Sequence, residues 1–333
     1  MRKFILKLLL FFVPLVLPVL LYVWIDPFKV IWNYEDPINT SKSYQWPINR
    51  DHQTTELFLK NYKNYKYDSF ILGNSRSFFF QVDTWKRYIQ GNCFHFNAYS
   101  EGIFGIERKL KFLDRSNVKI KNVLLVLDVS TLRRIKNNEG HLYIKHPATS
   151  GESYFSFHSE MFKGFFPKAM FAFTDLYFSD RSKDYMKTYG VTEDLWKHDK
   201  VSNQLTYYIY DEELSKDPET YYKKRKNSFP LRNPVEGVSK LTIQESQLEL
   251  LNNIHEILKK QGTNYKVLIN PDHDQMKLNP KDLEKLKQIF GEKDVYDFSG
   301  KNGITTNNKN YYEAAHFRPF IGDSLLSMIY RQK

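Results

Sequence analysis

Cysteine is almost absent from this chain of 333 residues, which contains only Cys93. An internal disulfide is therefore excluded, and because Cys93 falls in an apolar segment we predict a buried, unreactive thiol. The scarcity of cysteine does not argue against a location outside the cytoplasm, because a large domain is stabilised by its core and needs no disulfides.

Nucleic-acid-binding motifs are also absent, although the net charge is +11. The basic residues are scattered, and the densest cluster, residues 223–226, follows two tyrosines. Such a run is typical of a solvated surface, with contact to anionic lipid or polysaccharide as the alternative. We therefore expect no nucleic-acid partner.

Metal-ligand spacing is missing as well. His141, His146, His158 and His198 are isolated from one another, and histidines so separated are more often surface or packing residues than ligands. The polar run at residues 270–274 contains Asp and His, but adjacent residues rarely converge on one ion. We expect neither a metal nor another cofactor.

The N-terminus combines early positive charge with a long apolar run. Residues 8–25 are uncharged and apolar, and their number is close to the ~20 residues that cross a bilayer as a helix. We predict a single transmembrane anchor over residues 1–25, with the basic end in the cytoplasm and the rest of the chain outside the cytoplasmic membrane. A cleaved signal peptide is the less favoured alternative, because residues 22–25 are bulky and do not form a small-residue cleavage site.

A candidate nucleophile lies in the segment Tyr67–Ser77. The apolar run 70–72 predicts a buried strand that stops at Gly73, and ligands of open α/β sheets bind beyond the carboxyl ends of the strands. Ser75 and Arg76 therefore lie where a substrate would arrive. The alternative is that Asn74 and Ser75 only cap the next helix.

A candidate base lies near the other end of the chain. Glu313 and His316 are three residues apart, a spacing that brings a carboxylate to an imidazole on a helical turn or a tight loop. A serine hydroxyl needs such an oriented base before it becomes a useful nucleophile. A surface ion pair is the alternative for the Glu-x-x-His segment taken alone.

These two segments together resemble those of SGNH (GDSL-like) hydrolases. The Gly-Asn-Ser-Arg-Ser segment at 73–77 is similar to the nucleophile block of that family, and Glu313 with His316 is similar to its terminal Asp-x-x-His block. The run His-Phe-Arg-Pro at 316–319 resembles the closing segment of membrane-anchored members that act in alginate acetylation or in D-alanyl transfer to teichoic acid. The chain departs from the family in carrying Glu313 where Asp is usual.

The resemblance also implies oxyanion donors. Family members use a glycine N–H after the second strand, which aligns with Gly102, although Gly105 is a rival. They also use an asparagine side chain, for which Asn270 is the candidate. Such donors must point to the position where the carbonyl oxygen becomes negative.

The predicted elements after residue 67 run strand, helix, strand, helix, strand, insertion, helix, strand, helix, strand, helix. This order predicts an α/β domain over residues 67–333, a three-layer doubly wound parallel sheet of the SGNH or flavodoxin-like type. Residues 26–66 are expected to be a linker packed on the domain. Residues 133–240 are irregular and aromatic, which predicts a largely helical insertion.

Two functions remain open at this point. The first is serine-dependent O-acyl transfer, most simply of acetyl, or ester hydrolysis on a cell-surface or exported polysaccharide through Ser75, His316 and Glu313. The second is a non-catalytic scaffold of the same fold that binds glycan or docks a multi-pass membrane O-acyltransferase.

Overall fold

A computed structural model describes residue 14 and residues 16–38, 42–193 and 196–331. The predicted anchor over residues 1–25 therefore lies mostly outside the described residues, and its described part is helical over 16–25. Among the helices that are described, none is both long and apolar enough to span a membrane.

The domain is built on a sheet of five parallel strands, and its α/β class agrees with the sequence prediction. The strands are β1 Ser69–Gly73, β2 Cys93–His95, β3 Asn122–Leu127, β4 Asn264–Ile269 and β5 Val295–Asp297. Their order across the sheet is β2, β1, β3, β4, β5. The chain reverses direction across the sheet between β1 and β3, the place where open α/β sheets form a ligand crevice.

Both faces of the sheet are buried. Phe70 and Leu72 of β1 belong to one apolar cluster, to which the helix Ile103–Arg115 contributes. Ile71, between them in sequence, belongs to a second cluster that includes the closing helix Pro319–Arg331. Because successive side chains of a strand point to opposite faces, continuously apolar strands such as β1 and β3 require cover on both sides.

Helices connect and flank the strands. The described α-helices are Arg50–Tyr65, Val82–Trp85, Ile103–Arg115, Val129–Arg133, Pro147–Ser150, Tyr154–Phe165, Met170–Ser179, Tyr208–Lys216, Pro218–Lys224, Glu245–Gln261, Pro280–Phe290 and Pro319–Arg331. Short 3-10 helices occupy Ser75–Phe79, Asp184–Tyr189, Lys226–Ser228 and Asn308–Asn310. Three small antiparallel pairs join Tyr44–Gln45 to Thr192–Glu193, Lys197–His198 to Leu205–Thr206, and Tyr311–Glu313 to His316–Phe317.

The helix Arg50–Tyr65 lies in the segment that sequence analysis treated as a linker. Asn49 caps it by accepting the backbone N–H of His52 at 2.9 Å, and Leu57 and Phe58 pack into the first apolar cluster. Its other buried positions are mostly polar, so the sequence shows little of the 3.6-residue apolar period that identifies a helix.

Helices are the commonest regular structure in the described part of the expected insertion, and two of them build a third apolar cluster. Tyr154–Phe165 and Met170–Ser179 contribute Phe165 and Phe173 to this cluster, together with Tyr22 from the N-terminal region. The cluster also contains Phe28 and Val30, so the insertion packs against the end of the predicted anchor and the residues that follow it.

Candidate active site

The polar residues that follow three neighbouring strands lie at one edge of the sheet. Ser75 follows β1, Asp128 follows β3, and Asn270 and Asp272 follow β4. Because the strands are parallel, their carboxyl ends share this edge.

The turn after β1 presents Ser75. A Cβ atom on Gly73 would lie 2.7 Å from the carbonyl oxygen of Val126, so only glycine allows this close approach of β1 to β3. Asn74 caps the following 3-10 turn by accepting the N–H of Arg76 at 3.0 Å. The capping role therefore belongs to Asn74, and the half-buried Ser75 side chain remains available for other contacts.

A β-hairpin carries the other two candidate catalytic residues. Glu313 and His316 pair directly across its two strands, with Ala314 and Ala315 between them. Of the two arrangements that the spacing allowed, the tight loop is the one found. Phe317, on the same hairpin, is buried in the second apolar cluster beneath the sheet edge.

The hairpin brings its histidine to the serine turn across 241 positions of sequence. His316 Nε2 lies 2.9 Å from Ser75 Oγ, and His316 Nδ1 is in hydrogen-bond contact with Glu313 Oε1. An ionised carboxylate can only accept, so Nδ1 carries the imidazole proton and Nε2 accepts the serine O–H. This is the hydrogen-bond order that a serine–histidine–carboxylate triad requires.

Glu313 is held as a carboxylate by its surroundings. Burial favours the neutral acid, but the hydrogen bond and charge of His316, with the N–H of Ala315, lower the pKa of Glu313 below its usual value. The Ala315 N–H lies 2.6 Å from Oε2, so each carboxylate oxygen has its own donor. The hairpin turn thus accommodates the methylene by which Glu exceeds the Asp of the resembled family.

Tyr207 from the insertion also borders this triad. Its ring stacks on Phe79 at 5.2 Å and lies 6.0 Å from the ring of His316. Burial raises the pKa of Tyr207 well above its ordinary value, so its side chain stays neutral and forms an aromatic side of the site. No motif in the sequence marks it, because an aromatic residue within an aromatic-rich insertion has no distinguishing pattern.

Arg76 is bound by two carboxylates at the sheet edge. Its Nη1 lies 2.7 Å from Asp128 Oδ2 and its Nε 3.0 Å from Asp272 Oδ1. Asp128 also accepts the Asn74 side-chain N–H at 2.6 Å and caps the helix Val129–Arg133 through the N–H of Thr131. Asp128 therefore caps a helix and binds Arg76 at the sheet edge at the same time.

The two carboxyl groups that bind Arg76 differ in acidity. Burial opposes ionisation of Asp128, but Arg76 and several hydrogen bonds lower its pKa below the usual value. For Asp272, burial and the charges of Asp128 and Asp274 outweigh Arg76 and raise the pKa to about 7. Asp272 therefore exchanges its proton near neutral pH.

A cavity of about 860 Å³ adjoins this cluster, lined in part by Arg76, Asp128, Asp272 and Asn270. Asn270 is 1% exposed, and neither polar atom of its side chain has a hydrogen-bond partner among the described residues. A buried amide without partners is costly, so this side chain is suited to bind a polar ligand group. Its assignment as an oxyanion donor stays a prediction.

The N–H of Gly102 already has an acceptor. It donates to Glu101 Oε1 at 3.3 Å, and Glu101 belongs to a buried group of four charges with Asp51, Lys109 and Lys145. Burial opposes the charge on Lys145, yet Glu101 and Asp51 hold its pKa above the ordinary value. Gly102 can serve as an oxyanion donor only if this N–H turns away from Glu101.

The rival Gly105 lies against the same charges. A Cβ atom there would lie 2.8 Å from Cε of Lys145 and would also overlap the Glu101 carboxylate. Gly105 is thus required by the packing around the four charges, whereas a Cβ atom on Gly102 would lie 2.4 Å from the backbone carbonyl oxygen of Arg134. Sequence reasoning missed this group because charged residues on separate segments of the chain carry no motif.

One cluster outside this site has the residue types of a metal centre. Ligand atoms of His52, Glu56 and His146 lie within 4.8 Å of one another. His146 Nδ1 accepts the N–H of Ala148 at 3.0 Å, so its proton is on Nε2, 2.8 Å from Glu56 Oε1. A metal at this nitrogen would have to displace that proton. The absence of a cofactor stays a prediction.

A scan against protein-family models finds no match to this chain, and a search of curated protein sequences finds none either.

Proposed function

We propose that this protein is an SGNH-type enzyme that transfers an O-acyl group to, or hydrolyses an acyl ester on, a cell-surface or exported polysaccharide. One observation carries the proposal: Ser75, His316 and Glu313 form a hydrogen-bonded series at the sheet edge where the chain reverses direction between β1 and β3. Neither a surface ion pair nor a helix cap requires a serine hydroxyl on the free nitrogen of that histidine.

In this mechanism Ser75 Oγ attacks the acyl carbonyl carbon while His316 Nε2 takes the hydroxyl proton. Glu313 keeps the imidazole in the required tautomer and stabilises the imidazolium that forms. His316 then gives its proton to the leaving alcohol as the acyl–oxygen bond of the donor breaks, which leaves an ester on Ser75. A sugar hydroxyl or water, deprotonated by His316, attacks that ester and regenerates the serine.

The developing oxyanion needs preorganised N–H donors. Ser75 is the first residue of its 3-10 turn, where a backbone N–H has no acceptor within the turn, so its own N–H is the first donor in this proposal. Asn270 and Gly102 are the further candidates. Gly102 would have to exchange Glu101 Oε1 for the oxyanion.

The cavity beside Arg76 is assigned to the acceptor sugar. Its carboxylates, guanidinium and unpaired amide offer both donors and acceptors, which suit a ligand rich in hydroxyl groups. In this proposal Arg76 orients the acceptor through Asp128 and Asp272 and takes no part in proton transfer.

The proposal includes the fold and location that the family resemblance implies. These are a three-layer doubly wound SGNH domain over residues 67–333, a helical insertion at about 133–240, and an N-terminal membrane anchor that places the domain outside the cytoplasm. A reporter fused after Lys333 should be active only on the outer side of the cytoplasmic membrane. Activity of that fusion in the cytoplasm would refute the location.

The engaged N–H of Gly102 favours a second candidate, a scaffold that binds glycan or a multi-pass membrane O-acyltransferase without catalysis. A fluorophosphonate reagent separates the two, because it reacts only with an activated serine. We expect labelling of the wild type and of Ser156→Ala, which removes an exposed serine, and none of Ser75→Ala. An unlabelled wild type, or a labelled Ser75→Ala variant, would favour the scaffold.

A further inference from the structure

The end of the N-terminal apolar segment packs against the insertion. The ring of Tyr22 lies 5.5 Å from Phe162 and 5.7 Å from Phe165, both on the helix Tyr154–Phe165. Trp24 donates its indole N–H to the hydroxyl of Tyr177, on the helix Met170–Ser179, at 3.1 Å. Two helices of the insertion therefore lie directly beside the end of the predicted anchor.

These same helices expose large aromatic side chains. Phe155 is 84% exposed, Phe171 75% and Phe178 70%. The opposite sides of both helices are already buried in the third apolar cluster, so these rings have no role in the core. Exposed apolar side chains grouped in one place mark an interaction surface.

The exposed rings are linked by contacts to the end of the predicted anchor. Phe171 and Phe178 are seven residues apart and share a helix face, and Phe178 contacts Tyr177, the partner of Trp24, at 5.2 Å. Phe155 shares a face with Phe162, seven residues on, which contacts Tyr22. The exposed Trp32 donates its indole N–H to the carbonyl of Val23 at 2.8 Å.

We name Trp24, Trp32, Phe155, Phe171 and Phe178 the aromatic collar, and we propose that the collar inserts into the headgroup region of the bilayer that holds residues 1–25. We identify the bilayer as the partner of this surface because the uncharged apolar run 8–25 ends at the collar. Tryptophan and other aromatic residues concentrate at the membrane–water interface, and helices with one aromatic face lie in its plane. This inference rests on the proposed anchor and is independent of the chemistry of Ser75.

The collar gives the insertion a mechanical role. A single spanning helix leaves the attached domain free to tilt and rotate, whereas two interfacial helices on one side of it restrict both motions. The domain is thus held against the lipid surface in one orientation, so the position of its sheet edge relative to the bilayer is defined.

Spin-label accessibility in proteoliposomes of the full chain tests the collar. Cysteines are introduced singly as Phe155→Cys, Phe171→Cys and Phe178→Cys, with Leu231→Cys as the control because Leu231 is fully exposed at 102% in another part of the insertion. Cys93 is buried and burial raises its pKa to about 12, so the wild type should take up no label. The ratio of accessibility to oxygen over accessibility to a water-soluble nickel chelate should be several-fold higher at the three collar sites than at 231.

Equal, water-like ratios at all four sites would overturn the proposal. Collar sites that are water-like in pure lipid, but shielded from both reagents in native membranes, would also overturn it and would assign the surface to a protein partner. Loss of the chain from washed liposomes would refute the anchor and the collar together. Fluorophosphonate labelling of Ser75 in the same samples reports separately on the proposed function.

Discussion

Replacing Glu313 by glutamine should disable the proposed enzyme without unfolding it. The carboxylate has two acceptor oxygens, and the structure uses both, one for His316 Nδ1 and one for the Ala315 N–H at 2.6 Å. A glutamine offers one acceptor oxygen and one NH₂ group to the same two donors. If the oxygen stays with Ala315, the NH₂ group faces Nδ1, and the imidazole must place its proton on Nε2.

That tautomer cannot accept the proton of Ser75, whose oxygen lies 2.9 Å from Nε2. The expected loss in kcat/KM is up to ~10⁴-fold, or about 5 kcal/mol of transition-state stabilisation, the scale found when the orienting carboxylate of a triad becomes an amide. If the oxygen faces His316 instead, the exposed Ala315 N–H exchanges its acceptor for water, at a cost of about 0.5–1.5 kcal/mol in stability.

The assay is hydrolysis of an activated acetyl ester by the wild type, Glu313→Gln, Ser75→Ala and the double variant. Ser75→Ala should be at least as severe as Glu313→Gln, and the double variant should be no worse than Ser75→Ala, because triad members act as a unit. Thermal unfolding controls for folding. Wild-type rates in Glu313→Gln with an inactive Ser75→Ala would refute the orienting role of Glu313.

Two further predictions concern charge. The pKa of Asp272 is about 7, above the ~3.9 of an unfolded chain, so its contribution to the unfolding free energy falls as pH rises from about 4 to 7. The Asp272→Asn variant should lack this fall. The difference in unfolding free energy between the variant and the wild type, measured in urea, should therefore increase in favour of the variant by up to about 4 kcal/mol over that range. A difference that stays the same at every pH would contradict the prediction. Glu101→Gln should cost about 3–5 kcal/mol by leaving Lys109 and Lys145 short of a counter-charge, whereas Glu292→Gln, at a surface pair, should cost under ~1 kcal/mol. Equal losses of unfolding free energy for Glu101→Gln and Glu292→Gln in urea would show that the buried charges do not depend on one another.

The sheet could be predicted because its strands depend on local sequence, and the pairing of the two ends of the chain was expected from the chemistry of a triad and the family resemblance. The apolar run 70–72 identified β1, and the rule that ligands bind beyond strand ends placed Ser75 and Arg76 at that edge of the sheet. The order of strands and helices along the chain predicted the α/β class with a parallel sheet.

Features that depend on tertiary contacts could not be predicted. The helix Arg50–Tyr65 buries mostly polar residues, so its stability comes from partners elsewhere in the chain. The link from Gly102 to Glu101 depends on a lysine pair that no spacing reveals. Arg76 was expected to face a ligand, but the pairing with Asp272 follows only once β4 is placed in the sheet.

The proposed activity also depends on the segment that follows the last strand of the sheet. The last strand of the sheet ends at Asp297, and the segment after it contributes no strand to that sheet, yet it supplies Glu313, His316 and, from the closing helix, buried residues such as Leu325. A chain cut short before the hairpin would lose the proposed base and part of one apolar layer together. Premature termination or proteolysis near this end should therefore yield an unstable fragment that is degraded. It should not yield a folded protein that binds substrate without converting it.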